Sequence, residues 1–498
     1  MKRRVFGGLL AVFMMLAAGM PAGAETALQI NGELAPKTQE ETLKMAAEAA
    51  DAYFRDEEAA AELEKEIRKD VIPVNDDETQ EMTEQTVYTL THGGVSMRFM
   101  MEIRGEPEEG GYPLYLALHG GGDGAPEDND EQWGIMFEYY RWDMKSPGIY
   151  VAIRGITDTW DLHFRPESYP MYDRLIRAMI RLYGADPNRV YLLGFSAGGD
   201  GVYQIAPRMA DRFAAANMSS GHPNGVSLRN LANLPFSIQA GVRDYYSEDA
   251  LRCVRAAEFD ETLNDYREAL GGGYEHQVLI RVPNGHIFDD STYESEAEVV
   301  ADLDAYTDPA IVMPLMDRIM EECEAAGGPD EVTYMSYVLE GELPEFDSAV
   351  RKILSEEYGL ALKKVKGSAM RFVDQFTRNP VPDAVVWDLG TRAETREADS
   401  FYWLRAEPAV NQGTICARVT GDNALNVTPE GVNGDFSILV NPRLVNVSRP
   451  VHITTPEGEF DVTVNPSEET LRESIRKTGD PFLAWVAEIP YSQLTAAR

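Results

Sequence analysis

The chain has 498 residues, enough for two or three domains with buried cores. Its formal net charge of −38 argues against binding to nucleic acid or to an anionic membrane surface, because both need a basic patch. The three cysteines, Cys253, Cys323 and Cys416, are odd in number and far apart, so they indicate neither a disulfide framework nor a cysteine-based zinc site.

The first 24 residues have the three-part layout of a secretory signal peptide. A basic segment, 2–4, precedes the apolar stretch 5–18, and Ala22-Gly23-Ala24 offers small residues where a signal peptidase cleaves. The apolar stretch is short for a membrane span, which disfavours the alternative of an uncleaved anchor. We therefore predict a mature protein that is secreted or periplasmic, without stable membrane insertion.

Residues 25–84 are rich in Ala, Glu and Lys, and 46–69 predicts one or two amphipathic helices. The apolar runs 87–90 and 95–103 flank a glycine pair and predict a β-hairpin. Beyond residue 112, short apolar strands alternate with helices such as 171–183, which predicts a mostly parallel sheet flanked by helices. The predicted strands are 114–118, 148–153, 190–193, 214–218, 236–239 and 276–282.

A G-x-S-x-G motif follows one of these strands. In Gly194-Phe195-Ser196-Ala197-Gly198 the chain must turn sharply from strand to helix with Ser196 at the apex, and the two glycines avoid a clash. The turn places the hydroxyl at a helix N-terminus, where the dipole favours negative charge. Such motifs also occur by chance in loops, but the flanking strand and helix favour a nucleophilic serine.

A second glycine-rich segment, His119-Gly120-Gly121-Gly122, directly follows the strand predicted at 114–118. Glycines let backbone N–H groups approach a carbonyl oxygen, as an oxyanion hole requires. We predict Gly121, Gly122 and Ala197 as the donors, against the alternative of a flexible turn.

The base is found by elimination among seven histidines. In this kind of site it follows the nucleophile along the chain, which excludes the histidines before Ser196. His222 follows the serine too closely, His276 lies inside a predicted strand, and His452 belongs to a later region. His286 remains, in a loop just past a strand, from which Nε2 can reach the serine. The alternative is an ordinary surface histidine.

Asp244 is the best candidate for the acid, because it ends the strand that precedes the histidine strand. From there a carboxylate can accept the Nδ1–H of His286. The pair Glu248-Asp249 competes with it, whereas Asp289-Asp290 is too close to the histidine along the chain.

Residues 112–300 resemble the α/β-hydrolases, in particular those described as esterases, poly(3-hydroxybutyrate) depolymerase-like or prolyl-oligopeptidase-like hydrolases. Arg189–Gly201, Ala206–Arg212 and Gly221–Asn224 carry the resemblance, and the fragments 379–382 and 401–404 are similar to the end of the same group. The resemblance implies the fold and a serine-hydrolase mechanism more than a substrate. One departure is Ile287, since an aromatic residue commonly follows the histidine.

The acidic, helical stretch 301–366 is an insertion relative to this group, and a lid and a surface embellishment are equally compatible with it. Residues 367–382 hold the last hydrolase helix and a linker. Short strands then predict a small β-sandwich-like domain over 383–498. The expected elements are strands at 384–387, 401–404, 415–419, 424–427, 436–440, 451–454 and 460–464, and a helix at 468–477.

Trp387, Tyr402 and Trp403 have the strand spacing that favours core residues over a carbohydrate-binding surface. The predicted organisation is a signal peptide (1–24), an N-terminal helical segment (25–84), an α/β-hydrolase core (85–300), a helical insertion (301–366), a linker (367–382) and a C-terminal β-domain (383–498).

The sequence thus predicts a secreted serine hydrolase that cleaves carboxylic esters, carbohydrate-linked or polymeric, through an acyl-enzyme. The alternatives are a prolyl-oligopeptidase-like serine peptidase, disfavoured because no propeller is recognisable, and a non-catalytic binding protein that keeps the fold. Trp160 and His163 fall where a substrate loop would lie, although a packing role suits them equally. The sequence contains no metal-binding or dinucleotide fingerprint, so we expect no cofactor, and the partner is a small-molecule or polymer-linked ester.

Overall fold

The structure is a computed structural model that describes residues 26–30, 37–75, 82–244, 252–325 and 344–496. The predicted signal peptide, residues 1–24, lies outside these ranges. Within them, no helix has both the length and the apolar character needed to cross a membrane.

The helices of the described residues are α1 (Gln39–Arg55), α2 (Glu57–Glu66), α3 (Pro126–Tyr139), α4 (Ser168–Tyr183), α5 (Ala197–Arg208), α6 (Arg252–Leu270), α7 (Leu303–Thr307), α8 (Pro309–Ala325), α9 (Pro344–Lys352), α10 (Ala369–Val373), α11 (Glu468–Thr478) and α12 (Tyr491–Ala496). The strands are β1 (Thr26–Ile30), β2 (Ile67–Asn75), β3 (Met82–His92), β4 (Val95–Arg104), β5 (Tyr112–Leu118), β6 (Gly148–Ile153), β7 (Ala185–Phe195), β8 (Ala215–Ser219), β9 (Phe236–Gly241), β10 (His276–Val282), β11 (Glu296–Val300), β12 (Leu362–Lys366), β13 (Ala384–Asp388), β14 (Ser400–Phe401), β15 (Leu404–Arg405), β16 (Thr414–Gly421), β17 (Ala424–Glu430), β18 (Ser437–Val440), β19 (Val451–Thr455), β20 (Gly458–Val464) and β21 (Ala487–Pro490).

The largest sheet of the described residues has eleven strands in the order β12-β11-β10-β9-β8-β7-β5-β6-β4-β3-β2. Strands β5 to β10 run parallel to one another, and the strands on either side of them pair antiparallel. Every residue of β6, β8 and β9 is buried, as expected for strands that helices cover on both faces. The predicted hairpin and the six predicted central strands are confirmed.

Alternate side chains of β5 enter two separate cores. Leu114, Leu116 and Leu118 pack in a cluster that includes residues of α4, α5 and α6. Tyr115 and Ala117 point to the opposite face, where they pack with residues of α3 and α10. The parallel strands are therefore held between two packed layers, one on each face of the sheet.

Three expectations about the sheet edges are wrong. The helix predicted to reach residue 69 ends at Glu66, and the residues from Ile67 onwards form β2, which pairs with β3. The β-branched residues Val71, Ile72 and Val74 favour a strand, and Pro73 is tolerated because β2 is at the edge of the sheet. Residues 362–366, assigned to the helical insertion, form β12 and extend the same sheet through β11. Residues 26–30, assigned to a helical segment, form β1, which pairs in parallel with β20.

The C-terminal residues form a six-stranded sheet together with β1, in the order β1-β20-β19-β17-β16-β13, and a four-stranded sheet, β14-β15-β18-β21. The strand predicted at 401–404 is wrong as a single strand, because Tyr402 has a φ of 51° and turns the chain between β14 and β15. Trp387, Tyr402 and Trp403 are at most 3% exposed, so they are core residues and present no binding surface. The division of the chain into separate domains stays a prediction.

A buried cluster of ion pairs joins the large sheet to the C-terminal part. Arg396 contacts Asp173 on α4 at 3.0 Å and Asp211 at 2.9 Å, and Arg378 contacts Asp480 at 2.6 Å. Arg212 lies between the two groups, 3.4 Å from Asp173 and 3.5 Å from Asp480. Each of these side chains is at most 3% exposed, so each charge depends on its partners for solvation.

We expect Arg396→Gln to lower the free energy of unfolding by about 3–5 kcal/mol, because it leaves Asp173 and Asp211 buried with one cation fewer. The control is Arg472→Gln, which breaks the exposed pair with Glu468 and should cost at most about 0.5 kcal/mol. Denaturant unfolding measures both, and equal losses would contradict the role given to the buried cluster.

Candidate active site

Ser196 occupies a sharp turn between β7 and α5. Its backbone has a φ of 58° and a ψ of −121°, a conformation that is strained for a residue with a side chain. The Ser196 N–H donates to the Ser219 carbonyl at 2.9 Å, which ties the turn to β8. The hydroxyl therefore stands at the carboxyl edge of the sheet and at the N-terminus of α5.

The two glycines of the motif are required by close backbone contacts. A Cβ on Gly194 would lie 2.2 Å from the Gly198 carbonyl oxygen, and a Cβ on Gly198 would lie 2.0 Å from that of Leu118. These obstacles are backbone atoms, which cannot rotate away. The steric explanation of the motif is confirmed.

The structure brings the three predicted side chains into one hydrogen-bonded line. His286 Nε2 lies 2.8 Å from Ser196 Oγ, and His286 Nδ1 lies 3.0 Å from Asp244 Oδ2. The carboxylate is an acceptor, so Nδ1 carries the proton and Nε2 is left to accept from the serine hydroxyl. The Asp244 side chain is fully buried, and the competing pair Glu248-Asp249 lies outside the described residues.

Strand register explains why the acid and the base meet. In the parallel pair β9–β10, Gly241 is level with Arg281, so the loops after both strands begin at the same height. The loops are also bonded to each other, since the Arg243 N–H donates to the Asn284 carbonyl at 3.0 Å. Ser220 Oγ donates to the His286 carbonyl at 2.5 Å and holds the histidine loop against β8.

The described part of the insertion packs on the acid loop. The Tyr306 hydroxyl donates to the Val242 carbonyl at 3.2 Å, and Asp347 lies 3.9 Å from Arg243. Residues 326–343 lie outside the described ranges. A lid role for the insertion therefore stays a prediction.

The glycine loop of the predicted oxyanion hole follows β5. Gly121 and Gly122 have φ values of 91° and 89°, which residues with a side chain rarely adopt. The Gly122 N–H donates to Asn129 Oδ1 on α3 at 2.7 Å. Gly122 is therefore wrong as an oxyanion donor in this conformation, because its N–H is already bonded, and Gly121 and Ala197 remain as candidates.

His163 is fully buried beneath this loop. Its Nε2 donates to the His119 carbonyl at 2.9 Å, and the two imidazole rings contact edge to face. The Gly155 N–H donates to His119 Nε2 at 3.1 Å, so the His119 ring proton lies on Nδ1. Burial lowers the pKa of both imidazoles, that of His163 to about 4.

Neither predicted substrate residue lines the cavity beside the serine. His163 packs in the core, and Trp160, 54% exposed, contacts the Phe164 ring edge to face. The aromatic residues that follow β6 thus support the glycine loop from below or face solvent.

A cavity of about 450 Å³ opens beside Ser196 and His286. Its apolar wall comes from α3 and from the two loops of the site, through Ile135, Met136, Phe195, Ile287 and Phe288. Gln132 and Arg252 add polar groups to the lining, and Arg252 is also 3.5 Å from Asp244. This volume is typical of a pocket for a small organic ligand.

Asp290, which is too close to His286 in sequence to be predicted as the acid, is the centre of a buried cluster behind the histidine loop. It accepts from Ser219 Oγ at 2.5 Å and from the Tyr140 hydroxyl at 3.2 Å. The Tyr139 hydroxyl lies 2.9 Å from the carboxylate and 2.8 Å from the Phe288 carbonyl. Burial raises the pKa of Asp290. The cluster fastens the end of the histidine loop to α3.

The eleven-stranded sheet contains β3-β4-β6-β5-β7-β8-β9-β10 as neighbouring strands, with the serine after β7, the acid after β9 and the histidine after β10. The chain has the α/β-hydrolase fold.

No family model matches the sequence, and no curated protein matches it. Among solved structures, the chain is similar to a thermostable esterase, with 18% identity over 42% of this chain and 62% of that chain and a TM-score of 0.30. It is also similar to a ferulic acid esterase, with 16% identity over 45% and 92% of the two chains and a TM-score of 0.26. A third is an S-formylglutathione hydrolase from Agrobacterium tumefaciens, with 17% identity over 41% and 88% and a TM-score of 0.29. The chain thus spans less than two thirds of the length of the thermostable esterase.

We expect Gly198→Ala to lower the free energy of unfolding by about 3 kcal/mol or more, because its Cβ would meet the Leu118 carbonyl. Gly134→Ala on α3 is the matched control, since its Cβ would enter open space and alanine favours a helix by about 1 kcal/mol. Denaturant unfolding compares the two. Similar small changes in unfolding free energy for the two variants would show that the turn accommodates a Cβ at position 198.

The buried His163 should make folding sensitive to acid. Its folded pKa of about 4 lies below the ordinary value of 6.5, so the unfolded chain binds more protons between these pH values. The stability it contributes is therefore complete above pH 6.5 and is lost as the pH falls, by about 3 kcal/mol at pH 4.

This contribution is isolated by comparing the wild type with His163→Asn, which keeps a donor and does not titrate. The difference in unfolding free energy between the two proteins should narrow from pH 7 to pH 4. A difference independent of pH would mean that His163 titrates normally in the folded protein.

Proposed function

We propose that this protein is a serine hydrolase that cleaves carboxylic esters through a covalent acyl-enzyme. The observation that carries the proposal is the hydrogen-bonded line from Ser196 through His286 to the buried Asp244. Its three members come from loops after three different strands, so no local turn explains their meeting.

In the first step His286 Nε2 takes the hydroxyl proton as Ser196 Oγ bonds to the ester carbonyl carbon. The N–H groups of Gly121 and Ala197 stabilise the oxyanion, and the Asp244 carboxylate stabilises the imidazolium. The imidazolium then gives its proton to the leaving alkoxide as the carbon–oxygen bond breaks. Water, deprotonated by the same imidazole, releases the acid and restores the serine.

A serine peptidase of the prolyl-oligopeptidase type is the less favoured alternative. A site that selects a free amino terminus needs carboxylates near the nucleophile, and the described residues that line the cavity include no Asp or Glu. A non-catalytic protein is disfavoured because such a protein has no need for a strained serine within 2.8 Å of an imidazole.

We further propose that the protein is exported and that its signal peptide is cleaved behind Ala24, as the signal-like N-terminus predicts. The C-terminal β-sheets and the helical insertion then belong to the mature enzyme. The buried ion pairs of Arg396 and Arg378 support a C-terminal part that is fixed to the hydrolase core, rather than a tethered binding module.

A fluorophosphonate probe tests the nucleophile on the full mature chain. We expect one adduct, mapped to Ser196 by peptide mass spectrometry, and none on Ser196→Ala. Ser227→Ala, which removes a partly exposed serine that does not line the cavity, should label like the wild type.

The role of the acid is tested by Asp244→Asn. This variant should lower kcat on esters about 10³–10⁴-fold, because the histidine tautomer with the proton on the wrong nitrogen is then favoured.

A panel of nitrophenyl esters and aminoacyl nitroanilides separates the two enzyme classes. Turnover of esters with little or no turnover of anilides agrees with the proposal, and the reverse favours the peptidase. Full labelling of Ser196→Ala, or an unlabelled wild type, would contradict both the esterase and the peptidase assignment.

A further inference from the structure

The cavity beside Ser196 has a composition that points to its occupant. We propose that it binds an apolar group, phenyl-sized or branched aliphatic, carried on one side of the scissile ester. This inference rests on the proposed function, because it concerns the substrate of the same site.

The first argument is the chemistry of the walls. Met136 and Ile135 line one side, from α3, and Ile287 and Phe288 line the other, from the histidine loop. Phe195, the residue before the nucleophile, lies between them, with its ring 5.3 Å from that of Phe288. A hydroxyl-rich group in this space would lose its hydration and could regain hydrogen bonds only from the few polar side chains of the lining, such as Gln132 and Arg252.

The second argument is that the tyrosine of the wall turns its polar end away. Tyr139 lines the cavity, but its hydroxyl is held by Asp290 and by the Phe288 carbonyl behind the wall. The ring therefore offers the cavity its apolar body. The polar side chains that remain in the described lining are few, as is usual where polar groups orient a ligand and apolar surface binds it.

The third argument is the exposure of two isoleucines. Ile135 is 51% exposed and Ile287 is 44% exposed, although they border a cavity of about 450 Å³. Single exposed apolar residues are ordinary, but two that face one cavity beside a nucleophile provide a surface for an apolar substrate to cover. A sugar or polymer backbone attached to such an ester then lies outside the cavity.

The position of the cavity beside both Ser196 and His286 is compatible with the acyl group and with the alcohol. Two substrate series distinguish them. One varies the acyl group of nitrophenyl esters from acetate to butanoate, 2-methylpropanoate and benzoate. The other keeps acetate and varies the alcohol from methanol to 2-methylpropanol and benzyl alcohol. Rates are divided by those of hydroxide hydrolysis to remove intrinsic reactivity.

We expect kcat/KM to rise about 10-fold or more along one series, which identifies the group that the cavity holds. Ile287→Asn and Ile135→Asn, on different elements, should each lower kcat/KM about 10-fold for the best apolar ester. The loss should be smaller for the smallest ester than for the best apolar ester, because the smallest ester covers less of the wall. Met313→Ala, an exposed apolar residue on α8, is the control for loss of apolar surface elsewhere.

The rate of labelling by a small fluorophosphonate separates the wall from the chemistry. If Ile287→Asn lowers kcat/KM for the apolar esters by a larger factor than it lowers the labelling rate, the wall binds substrate. If both series are flat while Ser196 labels and small esters turn over, the cavity inference is overturned and the proposed function stands. If Ser196 is not labelled and the enzyme turns over no ester, the proposed function fails, and this inference fails with it.

Discussion

The close packing of Gly198 against the Leu118 carbonyl is the constraint on which the site depends. Because no side chain fits there, α5 can begin directly above the ends of β5 and β7, and the serine between them is forced to a positive φ. This geometry brings the Ser196 hydroxyl and the N–H of Ala197 to the edge of the sheet, next to the glycine loop. Gly194 and Gly198, which have no side chain, thus determine the position of the nucleophile.

The other side of the site is organised by hydrogen bonds between loops. Arg243 and Asn284 join the acid loop to the histidine loop, and Ser220 ties His286 to β8. The buried Asp290 fastens the end of the histidine loop to Tyr139 on α3, the helix that also supplies Asn129 to the glycine loop. One helix therefore contacts both the base side and the oxyanion side, so a displacement of α3 would disturb both together.

The sequence was sufficient for the parts of the site that follow from chain order. Parallel strands in register place the residues after their carboxyl ends at one edge, so chain order alone predicts Ser196, Asp244 and His286 as neighbours. The position of Gly122 relative to Asn129 could not be predicted, because it depends on which rotamer a helix residue adopts. Nor could the pairing of β1 with β20, since residues more than 400 positions apart meet there and no local pattern records it. The role of Asp290 could not be predicted either, because its partners Tyr139 and Ser219 come from elements far from it in sequence.

The central claim is that Ser196 Oγ, His286 and two backbone N–H groups act on a single carbonyl. A crystal structure of the phosphonylated enzyme tests it most directly, since the adduct mimics the tetrahedral intermediate. We expect a covalent bond from Ser196 Oγ to phosphorus, with the phosphoryl oxygen about 2.7–3.1 Å from the N–H groups of Gly121 and Ala197. An adduct on another residue, or a phosphoryl oxygen turned to solvent away from both N–H groups, would contradict the account.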